Sequence, residues 1–354
     1  MTVDVTEAGA RPAIEVLAWG RRLVDPALRE AVHRLPSSVR RVAGYHFGWW
    51  DADGRATAAD GGKGFRPALA FLAAEAVGGS ARTALPAAVA VELVHNFSLI
   101  QDDIIDRDLS RRWRPTAWSV FGPGRAMVAS DALLALAYDV LAASGHPAAH
   151  QLVRILSAAV VRLTEGEHAD IAFEARADVD LDECLSMVEG KTGAMLACAC
   201  ALGALQAGGT AAQVARLHRF GEQLGVAFQL ADDLIGIWGD PAVTGKPVHT
   251  DLHRRKKSLP LVAALTSGTP AGKELAALYD RDRPLSAAEL VRAAELVDRA
   301  GGRRWCQAHA EDLLSRALAE LRAALPEPPA GRPGARRAAA ELAVLARLAA
   351  TREL

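Results

Sequence analysis

Apolar residues recur with the period of an α-helix along almost all of the 354-residue chain, and the alternation typical of strands does not appear in the sequence. Glycine and proline mark where the helical segments end. The predicted helices cover 13–35, 66–77, 85 to the acidic residues near 105, 126–143, 150–173, 181–207, 211–235, 259–266 and 336–350. Aromatic residues make up only 5% of the chain, whereas alanine and leucine, which favour helices, are abundant. The sequence therefore predicts an all-α protein, a single-domain helical bundle over residues 1–354.

A few segments fall outside this pattern. Residues 1–12 are predicted to be flexible, and 45–62 and 236–255, which are interrupted by glycine, are predicted loops. The stretch LPEPPAGRPG at 325–334 is typical of a short, stiff linker to the C-terminal helix 336–350. This last helix is expected to dock on the main body or on a partner subunit.

Charge and apolar content exclude several classes of function. Lys and Arg number 41 against 42 Asp and Glu, so the net charge of −1 gives no global attraction to nucleic acid or anionic lipid. The basic run 253–257 has no interleaved aromatic residues. The most apolar run, 194–207, is shorter than the ~20 residues that span a membrane, and no signal peptide is visible. The four cysteines form no CxxC pair. We expect a soluble, cytoplasmic protein that neither binds nucleic acid nor spans a membrane.

An acidic cluster ends the long helix that begins near residue 85. Asp102 and Asp106 are four residues apart and share a helix face, with Asp103 beside them. Carboxylates at a helix C-terminus meet the negative end of the helix dipole, which costs ~0.3–1 kcal/mol each, so the cluster favours cations. Oxygen ligands without His or Cys suit Mg²⁺, which typically joins one or two carboxylates to a substrate phosphate. On this motif alone, a magnesium site and a solvated helix end are equally open.

A second acidic pair, Asp232 and Asp233 in FQLADD, also ends an apolar helix. Two such helix ends facing each other would form a two-sided carboxylate cage. Because the acidic helix end occurs twice, the interpretation as an ordinary solvated helix end becomes weaker. Cations lie in short segments around them: Lys63 and Arg66 in GGKGFRP, Arg111 and Arg112 in SRRWRPT, Lys191 in EGKTG, Lys246 in TGKP, and Lys256 with Lys257. Carboxylates for Mg²⁺, together with Arg and Lys that bind phosphate oxygens directly, are what the binding of two diphosphates requires.

At this point the sequence resembles the trans-isoprenyl diphosphate synthases, or polyprenyl synthetases, over nearly its whole length. The segments GGKGFRP, ELVHNFSLIQDDIID, RRWRPT, EGKTG, FQLADD and GDPAVTGKPVHTDLHRRKKSLP match the family's motifs in the family's order. The resemblance implies a helical bundle around a deep central cavity, the isoprenoid synthase fold, and a homodimer. It also implies Mg²⁺-dependent head-to-tail condensation of isopentenyl diphosphate with an allylic diphosphate.

The resemblance assigns roles position by position. It implies that Asp102, Asp103 and Asp106 coordinate two Mg²⁺ ions on the allylic diphosphate, and that Asp232 and Asp233 hold a third. The implied isopentenyl diphosphate pocket consists of Lys63, Arg66, His95 and Arg112. The implied allylic-side residues are Arg111, Lys191, Thr192, Gln229, Lys246 and Lys256, with Asp170 as a weaker candidate. Of these, the catalytic group would be Asp102, Asp103, Asp106, Arg111, Lys191 and Lys246. Ionisation gives an allylic cation, the isopentenyl double bond attacks it, and a proton is lost without a side-chain general base.

The chain departs from the family's pattern in a few places. The second acidic motif is DDLIG, with Gly236 where the family usually has a third Asp, so we expect the third ion to bind more weakly or through water. Activity is expected to survive because the Asp232–Asp233 pair remains. The other departures are Gln101 in place of a common His, Gly64 and Phe65 in place of a basic and an apolar residue, and Trp113 where a Gly often follows the two arginines.

Residues upstream of the first acidic cluster are candidates for setting product length. A growing prenyl tail would run from Asp102 towards the N-terminus of the same helix, so Phe97 and Ser98 are the first candidates for a floor, with Val94 next. Five residues of helix at ~1.5 Å each give about 7.5 Å, which is shallow enough for an aromatic ring to stop elongation. An aromatic here, without an insertion in the motif, is similar to the geranylgeranyl-forming members. We expect a C20 product first and C15 next, although a Phe in such a stripe is most often only core.

Three alternatives stay open. A class I terpene cyclase would ionise the same diphosphate without isopentenyl diphosphate, but the retained Lys63, Arg66, His95 and Arg112 argue against it. A non-catalytic regulatory subunit would be expected to lose the aspartates. A di-iron bundle needs Glu-x-x-His on two helices, and only 165–168 supplies a convincing one.

Overall fold

The computed structural model describes residues 9–57, 62–240, 248–281, 283–325 and 333–351. Among these residues helices dominate, and the only strands are β1 (Ser110–Arg111) and β2 (Arg114–Pro115), which form an antiparallel hairpin. The all-α prediction is confirmed. The segment predicted to be flexible and the predicted linker lie largely outside the described residues.

The helices follow in chain order. They are α1 Ala13–His33, α2 Ser37–His46, α3 Phe65–Ala76, α4 Leu85–Ile105, α5 Ala117–Phe121, α6 Pro123–Ala142, α7 Ala149–Glu174, α8 Leu181–Val188, α9 Ala194–Gln206, α10 Ala211–Trp238, α11 Thr250–His253, α12 Leu259–Leu265, α13 Pro270–Tyr279, α14 Ala287–Arg299, α15 Gly302–Ala324 and α16 Pro333–Thr351. A 3₁₀ turn (Ala81–Ala84) precedes α4, and a π-helical turn (Glu189–Gly193) joins α8 to α9.

The chain divides into two compact units. Unit 1 comprises Met1–Ala158, Cys198–His218 and Arg322–Val344, and unit 2 comprises Ala159–Ala197, Arg219–Leu321 and Leu345–Leu354. The single domain over 1–354 stays a prediction.

In unit 1, the long helix α4 carries apolar residues on most of its circumference, and most of its side chains are buried. Such a helix belongs in a core. Its N-terminus is held by Gln206, whose Oε1 accepts a hydrogen bond from the backbone N–H of Ala87 (2.9 Å), one of the donors that a helix start leaves unpaired. The C-terminus of this buried rod is where the first acidic cluster lies.

The predicted helix 181–207 is interrupted at the π-helical turn Glu189–Gly193, where Gly190 before Lys191 and Thr192 suggests a kink or helix junction from the sequence. The π-helical turn packs so closely on α7 that a Cβ atom on Gly166 would lie 2.4 Å from the backbone N of Lys191. Glycine is required there, and the inserted residue of the π turn accommodates the contact. Such turns are frequent at functional sites.

Two predicted loops are also partly helical. Helix α2 reaches into the predicted loop 45–62, because Val42, Ala43 and Tyr45 are buried and supply an apolar face. Helix α10 continues through Gly236 to Trp238, so the predicted loop 236–255 begins inside a helix and also contains α11. Glycine is a weak helix former, but here the helix continues with Ile237 fully buried.

Two helical stretches in the described part of the chain, 81–105 and 181–206, are long and apolar enough to cross a membrane by length and composition. Their most apolar windows are 67% and 83% buried within the protein, as in core helices of soluble proteins.

Candidate active site

The first acidic cluster lies in the last turn of α4, in unit 1. Asp103 is only 1% exposed, and its Oδ1 accepts a hydrogen bond from Nε of Arg111 at 2.7 Å. Its other oxygen, Oδ2, is buried and has no hydrogen-bond partner among the described residues. Burial raises the pKa of Asp103 to about 6, although Arg111 acts in the opposite direction. Asp102 is half-buried and Asp106 is exposed. The cluster therefore presents a buried carboxylate oxygen with its bonding capacity unused.

The β hairpin positions the paired arginines. Ser110 pairs with Pro115 and Arg111 with Arg114, so Arg112 and Trp113 form a two-residue turn. Their φ angles are +51° and +62°, the geometry of a type I′ turn, which ordinarily uses Asn-Gly. This turn directs the Arg111 side chain back to Asp103 but holds two large L-residues in the left-handed region.

Three hydrogen bonds fix the base of the hairpin. The Thr116 hydroxyl and the Trp118 indole N–H both donate to the carbonyl of Asp108, each at 2.8 Å. The Tyr45 hydroxyl donates to the carbonyl of Pro115 at 2.9 Å, and the guanidinium of Arg114 lies 4.5 Å from the Tyr45 ring centroid. The arginine pair thus stands on a rigid support.

The predicted isopentenyl diphosphate residues gather in unit 1. Burial lowers the pKa of His95 well below its ordinary value, and the nearby positive charges of Arg66 and Arg112 lower it further. The GGK segment reaches the same place, because a Cβ on Gly62 (φ +102°) would lie 2.6 Å from Nη2 of Arg112. Lys63, the next residue, is exposed. A neutral histidine among guanidinium groups is an environment that favours an anion.

His46 is a residue that sequence reasoning missed. It lines a small pocket of about 20 Å³ together with Tyr45, Asp103, Arg111, Arg112 and Arg114. Burial, with Arg112 and Arg111 nearby, lowers the pKa of His46 to about 3, and its Nε2 is buried without a hydrogen-bond partner among the described residues. His46 lay in a segment predicted as a loop, at no recognisable spacing from the other motifs, so the sequence carried no signal for it.

The second acidic pair lies on α10, in unit 2, and is arranged differently. Asp233 is 3% exposed, and both of its oxygens are occupied. Oδ1 accepts a hydrogen bond from the amide of Gln229 (2.8 Å), and Oδ2 accepts one from the backbone N–H of Leu259 (3.0 Å). Burial raises the pKa of Asp233 to about 6. Asp232 is half-buried.

The polar network extends from Gln229 to the π-helical turn. The Thr192 hydroxyl donates to Oε1 of Gln229 at 2.9 Å. Next to it, Nζ of Lys191 lies 2.7 Å from Oδ2 of Asp170 and 2.7 Å from Oε2 of Glu167. Asp170, the weaker candidate from the sequence, therefore pairs with the stronger candidate Lys191. Glu167 is a second residue that sequence reasoning missed.

Lys256 completes the polar group of unit 2. Burial lowers its pKa, but the carboxylates of Asp233, Asp170 and Asp251 together raise it above its ordinary value. Lys256 therefore carries its charge among carboxylates. Lys246 lies outside the described residues.

The chain-length candidates lie on α4 in unit 1. Phe97 is 4% exposed and Val94 is fully buried. Ser98 is half-buried, and its hydroxyl donates to the carbonyl of His95 at 2.9 Å. These contacts are compatible with a simple core role as well as with a cavity floor.

The residues present fit Mg²⁺. Within the ranges that the structure describes, no group of three or more His, Cys, Asp or Glu is assembled for a metal. Mg²⁺ needs less than that, because it keeps several waters and uses one or two carboxylates together with substrate phosphates. The unused Oδ2 of Asp103, with Asp102 and Asp106 on the same turn, supplies such a carboxylate.

Comparison with known proteins identifies the family. The polyprenyl synthetase family profile matches residues 50–297. The chain is 45% identical over 324 residues to the (2E,6E)-farnesyl diphosphate synthase of Mycobacterium tuberculosis, covering 90% of both chains. It is 44% identical over 332 residues to the geranylgeranyl diphosphate synthase of the same organism, covering 93% of this chain and 95% of the relative.

A solved structure agrees with these relatives. The crystal structure of a polyprenyl synthetase from Streptomyces coelicolor matches with a TM-score of 0.88 and 43% identity, over 95% of this chain and 98% of that chain. The fold is the all-α isoprenoid synthase fold, as the resemblance implied. The chain belongs to the polyprenyl synthetase family and is a prenyltransferase of the short-chain prenyl diphosphate synthase type.

Proposed function

We propose that this enzyme condenses isopentenyl diphosphate with an allylic diphosphate to give geranylgeranyl diphosphate (C20), with farnesyl diphosphate (C15) as the next candidate. The observation that carries the proposal is the gathering of Arg66, His95 and Arg112 beside the GGK segment in unit 1. A terpene cyclase binds no isopentenyl diphosphate and has no use for this second anion site. A regulatory subunit has no use for an intact first acidic cluster.

In the proposed mechanism, Asp102, Asp103 and Asp106 would hold two Mg²⁺ ions, which would supply Lewis acidity that stabilises charge on the leaving diphosphate. Arg111 fixes the orientation of Asp103 through the 2.7 Å hydrogen bond, so the other carboxylate oxygen keeps a defined direction. Because the hairpin is rigid, little reorganisation is needed when charge develops.

The residues of unit 2 take the further roles that the resemblance implies. Asp232 and Asp233 would hold a third Mg²⁺, and both oxygens of Asp233 accept hydrogen bonds in the structure. Lys191, Lys246 and Lys256 bind phosphate oxygens. Thr192 and Gln229 complete this set through the hydrogen bond that links them.

The bond changes follow from these roles. The allylic carbon–oxygen bond breaks and its electron pair leaves with the diphosphate. The double bond of isopentenyl diphosphate, held by Lys63, Arg66, His95 and Arg112, attacks the allylic carbon. The proton lost from the resulting cation goes to the released diphosphate. Burial and the guanidinium neighbours lower the pKa of His95, and its imidazole has a ring N–H that can donate to a phosphate oxygen.

The enzyme is further proposed to be a cytoplasmic homodimer. Support for a partner surface comes from unit 1, where Val120 on α5 and the adjacent Met127 and Val128 on α6 are exposed apolar side chains. Support for a reducing compartment comes from the four cysteines, which are all buried free thiols. Light scattering on wild type and on Val128→Glu tests the dimer, and we expect the variant to shift towards monomer.

A product assay tests the function. Purified protein is incubated with Mg²⁺, labelled isopentenyl diphosphate and each of dimethylallyl, geranyl and farnesyl diphosphate separately, and products are resolved by chain length. We expect a discrete C20 diphosphate. A C15 product would correct the proposed chain length. Hydrocarbon formed without incorporation of isopentenyl diphosphate would show that the enzyme is a cyclase and not a synthase.

Phe97 tests the chain-length ruler. We expect Phe97→Ala to lengthen the product by opening the floor of the tail site, at a cost of about 3–5 kcal/mol in stability. The control is Phe71→Ala, because Phe71 on α3 is equally buried but is no chain-length candidate. An unchanged product from Phe97→Ala would move the floor to Val94 or Leu93.

A further inference from the structure

His46, the last residue of α2, is held against the arginine hairpin through its neighbours in the chain. The Tyr45 hydroxyl donates to the carbonyl of Pro115 at 2.9 Å. In return, the guanidinium of Arg114 donates to the carbonyls of Tyr45 and Trp50, each at 3.1 Å. The backbone before and after His46 is therefore fixed to the hairpin, and this fixes the place of the His46 ring.

The ring of His46 lies among charged groups but carries no charge itself. It lines the small pocket that Arg111, Arg112 and Asp103 also line. Burial, followed by the positive charges of Arg112 and Arg111, lowers the pKa of His46 to about 3, so the imidazole is neutral near pH 7. In a neutral imidazole one ring nitrogen donates and the other accepts, and the surrounding hydrogen-bond partners decide which of them holds the proton.

Asn96 on α4 indicates which nitrogen of His46 holds the proton. Asn96 is fully buried, and its amide NH₂ donates to the backbone carbonyl of Glu92 at 2.8 Å and to Oε1 of Glu92 at 3.2 Å. These two bonds fix the direction of the amide group. Oδ1 of Asn96 and Nε2 of His46 are both buried and have no hydrogen-bond partner among the described residues. Although burial has the larger effect on the pKa of His46, Asn96 raises that pKa, so the two side chains are neighbours. A proton on Nε2 satisfies both atoms.

Two walls confine the guanidinium of Arg112. One is the backbone of Gly62, where an added Cβ atom would lie 2.6 Å from Nη2 of Arg112. The other is the pocket that His46 lines. A carboxylate at that place would pair with the guanidinium, as Asp103 pairs with Arg111 at 2.7 Å. A neutral ring confines the arginine without neutralising it.

We propose that His46 is a positioning residue for isopentenyl diphosphate: its Nε2–H donates to Oδ1 of Asn96, and the ring held in this way keeps Arg112 directed towards the substrate. The inference rests on the proposed function, in which Arg112 binds isopentenyl diphosphate. His46 acts through Arg112 and touches no reacting atom. An arginine–diphosphate contact is the same before and during bond formation, so weakening it raises KM and leaves kcat nearly unchanged.

Steady-state kinetics of the full chain with Mg²⁺ test this role. His46→Leu removes both ring nitrogens. We expect the KM for isopentenyl diphosphate to rise about 10-fold, with kcat and the KM for the allylic diphosphate within about 3-fold of wild type. His46→Gln keeps an N–H near the place of Nε2–H and should restore most of the affinity. The control is His150→Leu, which changes an exposed histidine on α7 and should leave all three constants unchanged.

Three results of these assays would overturn the proposal. The first is an unchanged KM for isopentenyl diphosphate in His46→Leu. The second is an equal rise in the KM of both substrates, and the third is a His46→Gln variant that binds as weakly as His46→Leu. The last two describe a ring that only supports the fold.

The second experiment needs no turnover. Nuclear magnetic resonance of the wild-type chain labelled with ¹⁵N-histidine reports the protonation of each ring nitrogen, and the His46 signals are those missing from His46→Gln. At pH 7.5 we expect a proton on Nε2 and none on Nδ1. A proton on Nδ1, alone or together with Nε2, would overturn the proposed hydrogen bond to Asn96.

The two levels of inference fail separately. If wild type forms no prenyl product, the proposed function fails, and the magnetic resonance experiment still tests the bond between His46 and Asn96. If wild type is an active synthase but the KM for isopentenyl diphosphate does not follow residue 46, only the role of His46 fails.

Discussion

The two acidic motifs look alike in sequence but are used differently in the structure. Asp103 and Asp233 are both almost fully buried, and burial raises the pKa of each to about 6. Asp103 has one oxygen on Arg111 and one with no partner in the described part of the chain. Asp233 has both oxygens occupied, one of them by the backbone N–H that opens α12. Asp103 in the first motif therefore has a carboxylate oxygen that can still accept a bond. In the second motif, Asp233 also stabilises the fold, because it bonds the first residue of α12.

The largest expected effect is on turnover, and it concerns the first motif. Asp102→Ala and Asp103→Ala should each lower kcat about 10³-fold or more, because metal-assisted charge stabilisation supplies several kcal/mol of the barrier reduction. The fold should persist, as judged by circular dichroism. Asp139→Ala, which removes an exposed carboxylate paired with Arg34, is the control. Rates like wild type in either active-site variant would refute the metal assignment.

The next effect is a pH dependence of stability in magnesium-free protein. The pKa of Asp103 is about 6 in the folded state and 3.8 as its ordinary value, so the folded state binds the proton more tightly. The contribution of Asp103 to the free energy of unfolding is therefore highest below pH 4 and falls by about 3 kcal/mol as the pH rises to 7. Denaturant unfolding of wild type and Asp103→Asn across this range measures it. We expect the variant to gain relative stability as the pH rises, and a constant difference would contradict the assignment.

A smaller effect separates the two aspartates directly. At pH 7.5, Asp103→Asn removes a buried charge, and its amide can take the place of the oxygen that has no partner. Asp233→Asn removes a charge too, but its NH₂ group faces a donor, either the N–H of Leu259 or the amide of Gln229. An unsatisfied buried group costs about 1–3 kcal/mol. Chemical denaturation should therefore give Asp103→Asn a free energy of unfolding about 1–3 kcal/mol higher than that of Asp233→Asn. Equal free energies would contradict the proposed difference between the two aspartates.

The smallest effect concerns Trp113 in the hairpin beside the first motif. Trp113 is 85% exposed and adopts φ +62°, a conformation that costs a non-glycine residue about 1–2 kcal/mol. Trp113→Gly should raise the free energy of unfolding by about 1 kcal/mol. Trp305→Gly, within a helix, serves as a contrast and should destabilise. A loss of stability in Trp113→Gly would mean that the indole makes compensating contacts.

Much of the helical architecture was predictable because helical periodicity is a local property of the sequence. The start of α4 at Leu85 and the start of α10 at Ala211 were predicted to the residue. Gly190 indicated a kink or helix junction within 181–207, but the sequence did not predict its π-helical form, because the turn packs against Gly166 on another helix. The extension of α10 beyond residue 235 was missed for a similar reason. A glycine in the sequence predicts a helix end, and only its neighbours in space show that the helix continues.

The residues of the proposed site likewise divide into those that the sequence predicted and those that only the structure revealed. The aspartates, lysines and arginines of the proposed site were assigned from the sequence through the resemblance of its motifs, in their order, to those of the polyprenyl synthetases. The positions of His46 beside Asp103 and of Glu167 beside Lys191 depend on contacts between segments far apart in the chain. The sequence determined the helices, the charges and the family. Only the tertiary structure decided which carboxylate oxygen stays available and which is committed to the fold, because burial and hydrogen-bond pairing are set by neighbours that chain order does not reveal.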